Sequence, residues 1–204
     1  MSHSIEAGIR HLISQNNHNI KIAFPAIVVG VEKLSDGFID VKPLVNHINN
    51  LTGDSESYPT IFNVRVIFPS SNKSTICFPI NQGDFVDLIV QSVDTHKFVN
   101  GLKEQHDPYM LAFGNLSNTV AFVGFSPYQD SCFNPNNYST EFNNQDLNIV
   151  HNKNTDDESS ISINAEGEIT LRSSTVVKVE CKQFEVNASE KIKFTAPLIS
   201  ENGR

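Results

Sequence analysis

Residues 161–194 have the sequence ISINAEGEITLRSSTVVKVECKQFEVNASEKIKF, in which apolar residues recur in pairs with one residue between them. The pairs are Ile161/Ile163, Ile169/Leu171, Val177/Val179, Phe184/Val186 and Ile192/Phe194, and successive pairs begin 8, 8, 7 and 8 residues apart. Alternate residues of a β-strand point to the same face, so each pair predicts one strand with an apolar face. Residues 164–167 and 173–174 are of types that are typical of turns between strands.

This repeat of one strand and one turn indicates a β-helical or β-meander stalk over residues 159–204 rather than a globular core. A lone meander buries its apolar side chains on one side at best and leaves the backbone groups at its edges unpaired. Three chains wrapped around one axis are the simplest closed arrangement that pairs those edges and completes the burial. We therefore expect a homotrimer with the ten paired side chains in its core.

Upstream of the repeat, short β-type runs are punctuated by Pro, Gly and Asn. The runs cover residues 26–31, 38–41, 61–68, 74–78, 85–90 and 120–123. Closely spaced short strands of this kind predict a small barrel or sandwich over residues 21–125. Residues 126–158 are rich in Asn, Ser, Asp and Pro, with few aliphatic residues, and predict a connector.

The first 20 residues have a different pattern. Ile5, Ile9, Leu12 and Ile13 follow the spacing i, i+4, i+7 and i+8, which predicts one apolar stripe on a short helix. A helix this short is marginal alone, so we expect residues 1–20 to dock on a partner.

Composition excludes several classes of function. The chain has 204 residues and a formal net charge of −8, which argues against nucleic-acid binding because such binding needs clustered Lys and Arg. No run of residues is long and apolar enough for a transmembrane helix, and the N-terminus lacks the pattern of a secretory signal. Cys77, Cys132 and Cys181 are far apart and are expected to be reduced thiols.

Catalytic and metal-binding patterns are also missing, and we expect no enzymatic activity. His96 and His106 are ten residues apart with no further ligand at a suitable spacing. Asp84 and Asp87 are expected to be turn and surface residues, with Gly83 supplying the unusual backbone angles of the turn. The acidic run at residues 156–158 is expected to form a solvated face.

The order of motifs in the barrel region resembles the baseplate central spike family of contractile-tail bacteriophages, the Mu-type short membrane-puncturing spikes. The likeness covers roughly residues 20–199. The matching segments are Ile22-Ala-Phe-Pro-Ala26, Ile39-Asp-Val-Lys-Pro-Leu44, Val64-Arg-Val-Ile-Phe-Pro69, Phe78-Pro-Ile-Asn-Gln-Gly-Asp-Phe85 and Gly114-Asn-Leu-Ser-Asn-Thr119. The last segment is similar to the family's His-Asp-Leu-Ser-Asp-Ala segment, but the histidine and both aspartates are replaced.

The resemblance implies an all-β homotrimer in which an N-terminal OB-like barrel precedes an intertwined triple-stranded β-helix. It also implies a virion protein at the tip of the tail baseplate, made in the cytoplasm of the host bacterium. Its function would be to pierce the bacterial outer membrane during sheath contraction. The implied partners are a baseplate hub protein above the barrel, and transiently the outer membrane.

Related spikes bind iron at their apex through a His-x-His motif, which is absent here; the last histidine is His151. No cofactor is therefore expected, and a separate spike-tip protein is a possible partner. The alternative function is an OB-fold module that binds single-stranded nucleic acid or carbohydrate on exposed aromatic residues. Many of the 14 phenylalanines, however, are placed in the sequence as core residues are, which disfavours this alternative.

Overall fold

The computed structural model describes residues 22–48, 52–108, 115–139 and 142–196. The chain divides into two compact units, the first ending at Asn137 and the second beginning at Tyr138. This boundary lies within the stretch that the sequence predicts as a connector, residues 126–158. The predicted docking segment, residues 1–20, lies outside the described residues.

The first unit is built on a closed five-stranded barrel. In chain order its strands and one short helix are β1 (Ala23–Gly30), β2 (Phe38–Pro43), β3 (Asn46–Ile48), β4 (Ser55–Ser57), β5 (Ile61–Ile67), β6 (Phe85–Val90), α1 (His96–Val99) and β7 (Thr119–Val123). The order around the barrel is β1-β2-β5-β7-β6, while β3 and β4 form a separate ribbon. Only β5 and β7 pair in parallel among these barrel neighbours. The all-β prediction is confirmed, and the barrel fits the OB-like expectation.

Buried and more exposed residues alternate along the strands, and the buried side chains fill the barrel. In β1 every second residue from Phe24 to Gly30 is buried, and the same spacing recurs in β2 and β6. The most deeply buried large side chains are Ile39, Leu88, Val28, Val41, Val64 and Val86. These branched residues favour a pleated strand and supply the apolar burial that stabilises the barrel.

The turn before β6 is specified by Gly83 and Asp84, as the sequence predicts. Gly83 has φ +98°, a backbone conformation that is strained for any residue with a side chain. The carboxylate of Asp84 accepts a hydrogen bond from the backbone N–H of Asn81 at 2.7 Å. Two backbone hydrogen bonds attach this turn to β1: the N–H of Gly83 donates to the oxygen of Val28, and the N–H of Val28 donates to the oxygen of Asp84.

The predicted strand at residues 74–78 does not form, and this prediction is wrong. The segment makes one isolated bridge, between Ser70 and Thr75, and Ile76 and Phe78 are exposed. Each strand of the closed barrel already has two neighbours, so no barrel edge remains for another strand. Phe78 instead packs edge-on against Phe68, with 5.1 Å between the ring centroids.

The second unit contains a three-stranded antiparallel sheet of order β10-β9-β8. Its strands are β8 (Leu147–His151), β9 (Ser159–Ile163) and β10 (Ile169–Arg172). Strand β8 lies in the stretch that the sequence treats as a connector. Between β9 and β10 the turn contains Gly167 at φ +83°, and the side-chain oxygen of Asn164 accepts the backbone N–H of Glu168.

No strand follows β10 within the described residues up to 196. Two of the five predicted strand pairs are therefore strands within a single chain, and the other three are not. In the part of the chain that the structure describes, no helix is long and apolar enough to cross a membrane.

Candidate assembly surface

One face of the sheet β8–β10 is made of aliphatic side chains in two cross-strand rows. In the first row Leu147, Ile163 and Ile169 lie opposite one another, and in the second Ile149, Ile161 and Leu171 do so. The residues of each strand are two apart, so all six side chains share one face. Five of the six are exposed, from 40% for Ile161 to 68% for Ile169. We call this surface the apolar face.

The apolar face joins four of the predicted core residues to two that the prediction missed. The sequence predicts Ile161, Ile163, Ile169 and Leu171 as core residues, whereas Leu147 and Ile149 lie in the stretch predicted as a connector. Their own i, i+2 spacing was the signal that could have assigned them to a strand.

The remaining predicted core residues lie in residues 173–196, which we call the tail. These are Val177, Val179, Phe184, Val186, Ile192 and Phe194, with exposures from 49% for Val186 and Ile192 to 76% for Phe194. The tail contains no strand and pairs with no strand of its own chain among the described residues. The described part of the chain therefore does not bring these apolar side chains together.

Glu158 differs from the prediction that the acidic run forms a solvated face. Its side chain is buried, and one carboxylate oxygen accepts the backbone N–H groups of Ser139 and Asn154, each at 2.8 Å. Asn154 has a left-handed backbone conformation with φ +59°. Glu158 thus holds the loop between β8 and β9, while its two acidic neighbours are exposed.

The described structure does not bring together the histidines and aspartates that were candidates for catalysis or metal binding. His96 lies at the start of α1, where its ring is 3.2 Å from the side-chain amide of Asn100. The ring of His106 is 2.9 Å from the backbone oxygen of Glu104. Asp84 stabilises its turn as described above, and Asp87 is half-buried on β6. Across the described ranges no three His, Cys, Asp or Glu side chains form a group that could hold a metal ion.

The three cysteines and most of the described phenylalanines are exposed. Cys77, Cys132 and Cys181 are exposed thiols. The expectation that many phenylalanines are core residues is wrong for the barrel, because Phe24 is the one described phenylalanine in its buried core. Exposed phenylalanines include Phe62, Phe78, Phe98, Phe122, Phe125 and Phe133 in the first unit. Burial of phenylalanine is therefore no reason to reject a binding module.

A family comparison covers the barrel. Residues 24–124 match the family model described as Phage protein Gp138 N-terminal domain. The matched range begins at the second residue of β1 and ends just after β7, so it covers the five barrel strands except Ala23. The comparison with curated proteins found no match. The barrel is thus similar to a phage protein domain, which indicates that this chain is a phage-related protein.

Proposed function

We propose that this chain is the homotrimeric central spike at the tip of a contractile phage tail, a structural virion protein that pierces the bacterial outer membrane. The similarity of the barrel to a phage protein domain supports a structural role in a phage particle. The single observation that carries the trimeric spike is the tail, whose apolar side chains alternate as in a strand, are exposed, and pair with no strand among the described residues of their own chain.

The tail and the apolar face both require partners. Contiguous exposed apolar patches larger than a few hundred Å² are rare on monomeric soluble proteins and mark association surfaces. Strand-like segments also present unpaired N–H and C=O groups, which are satisfied by another strand or by water. Copies of the same chain supply both kinds of partner, because each has the same apolar face and the same tail.

Three copies around one axis close the assembly. In this arrangement the apolar faces and the paired residues Val177 to Phe194 point to the interior. The residues between them in the tail include Lys178, Glu180 and Lys182, whose charges would lie outside and keep the stalk soluble. Interchain backbone pairing along the stalk resists bending, which is the property that a piercing tip requires.

In this proposal the spike is moved by sheath contraction and carries out no chemical reaction. Its partners are the baseplate hub, a separate tip protein and, transiently, the outer membrane. Ile5, Ile9, Leu12 and Ile13 are proposed to contact the hub, although they lie outside the described residues. No cofactor is part of the proposal.

The experiment that tests the proposal is a mass measurement of the purified chain at micromolar concentration by light scattering or mass photometry. We expect 3 × 22.7 kDa, or about 68 kDa. A stable monomer would overturn the proposal, because the tail and the apolar face would then be exposed without partners.

A further inference from the structure

A cleft of about 450 Å³ lies on the polar face of the sheet β8–β10, opposite the apolar face. Ligand sites of small molecules commonly have volumes of about 300–1,000 Å³. Asn148, Ser162 and Thr170 lie opposite one another in one cross-strand row of this polar face and line the cleft. Tyr138 and Phe142 line it as well, with their rings stacked in parallel at 3.9 Å between centroids.

The polar groups of the cleft are partly fixed and partly available. The side-chain amide of Asn148 donates to the backbone oxygens of Asn143 and Asp146, at 2.8 and 3.0 Å, so its position is held. The hydroxyls of Ser162 and Thr170 make no hydrogen bond to any described residue and can both donate and accept. The cleft thus presents hydroxyl groups on a rigid strand surface beside aromatic rings.

The charges of the cleft select against anions. Its charged residues are Asp146, Glu166, Glu168 and Arg172, a formal sum of −3 + 1 = −2. Phosphate and carboxylate groups would be repelled at this site. An uncharged ligand with many hydroxyl groups fits both the charge and the hydrogen-bonding capacity.

We propose that the cleft binds a neutral saccharide of one or two rings. A sugar ring has a rim of hydroxyls for the Ser162, Thr170 and Asn148 row, and a face of C–H groups that packs against an aromatic ring. This site lies in the second unit and uses no residue of the barrel.

The source of the saccharide rests on the proposed function. If the apolar face points to the threefold axis, the polar face and its cleft point outward on each of the three copies. Three identical weak sites on one particle bind a repeating glycan with greater avidity than one site. A surface polysaccharide or the glycan backbone of peptidoglycan would meet the spike during penetration.

The test measures binding of two neutral probes to the full-length chain by saturation-transfer NMR and calorimetry. One probe is a tetramer of N-acetylglucosamine, a neutral oligosaccharide of one of the two alternating sugars of the peptidoglycan backbone. The other is a neutral polysaccharide of galactose and mannose, freed of lipid A and core phosphate. We expect at least one probe to bind with a Kd of about 1 mM or tighter. The probe that binds more tightly identifies the source of the saccharide.

Thr170→Val removes the hydroxyl without changing the size of the side chain and should weaken binding about five- to tenfold. Ser162→Ala should weaken binding similarly, and it replaces Thr170→Val as the test if that variant alters assembly. Thr75→Val, on an exposed residue of the first unit, is the matched control and should leave the Kd unchanged. The proposal is overturned if neither probe binds, or if both cleft variants bind as well as the control.

The mass of the same samples separates this proposal from the spike proposal. If the protein is a trimer of about 68 kDa and binds neither probe, the spike proposal stands and the saccharide site is rejected. If the protein is a monomer and binds a probe through Thr170, the saccharide site stands and the spike proposal is rejected.

Discussion

Ile161 of β9 lies between Ile149 of β8 and Leu171 of β10 in one cross-strand row, and the row is open to solvent in the single chain. Directly opposed aliphatic residues stabilise a sheet, but such a row gains most when a second apolar layer covers it. The trimer proposal therefore places the other copies against this side of the sheet.

Ile161→Asp should prevent trimer formation. Three carboxylates would lie close together in an apolar interior, at a cost of several kcal/mol each. Lys42→Asp adds the same carboxylate to an exposed strand position of the barrel and is the control. Mass photometry should show monomer for Ile161→Asp and trimer for Lys42→Asp. A trimeric Ile161→Asp protein would show that the apolar face is not the interface.

Adjacent residues of the tail should respond oppositely to the same substitution. Val177→Asp should disrupt the trimer, whereas Lys178→Asp should leave it intact, because alternate residues point to opposite faces of a strand. Phe184→Asp should behave like Val177→Asp. Light scattering in a denaturant series measures the difference. Equal behaviour of the Val177 and Lys178 variants would contradict a strand-like tail with an inward face.

Glu158→Gln should destabilise the loop between β8 and β9. The carboxylate accepts two backbone N–H groups, and hydrogen bonds to a charged acceptor are worth about 1.5–3 kcal/mol. Asp157→Asn, at an exposed neighbour, should change stability by less than about 0.5 kcal/mol. Hydrogen exchange at residues 152–158 should quicken only in the Glu158 variant; unchanged exchange would mean that the loop is held by other contacts.

Leu88→Ala should destabilise the barrel by about 2–5 kcal/mol, because the side chain is fully buried and its removal leaves a cavity. Leu44→Ala is the matched control, since Leu44 is 51% exposed. Denaturant unfolding followed by circular dichroism measures both variants. Similar stabilities would contradict the position of Leu88 at the centre of the barrel.

Deletion of residues 1–14 should leave a stable trimer that no longer incorporates into tails. The apolar stripe of Ile5, Ile9, Leu12 and Ile13 is proposed to contact the hub and not the spike itself. Complementation of a phage that lacks the spike gene measures incorporation. Infectious particles with the deleted protein, or loss of the trimer, would each reject the docking role.

The sequence predicted most barrel strands because their alternation is strong. The predicted runs at 38–41, 61–68, 85–90 and 120–123 agree with β2, β5, β6 and β7 within a few residues. The run at 74–78 has similar composition but lies outside the barrel, because the other five strands pair into a closed barrel that leaves no free edge. Local pattern records what a segment can form, whereas closure depends on all the strands together.

The sequence by itself determined the all-β class, the turn at Gly83 and the two-residue spacing of the apolar pairs, because these depend on backbone sterics and side-chain alternation. Tertiary structure alone decided that Leu147 and Ile149 complete the apolar face, since this follows from the register of β8 against β9. It also decided that Glu158 is buried and that the polar face forms a cleft. Register and burial join residues that are distant in sequence, and no local pattern encodes such pairings.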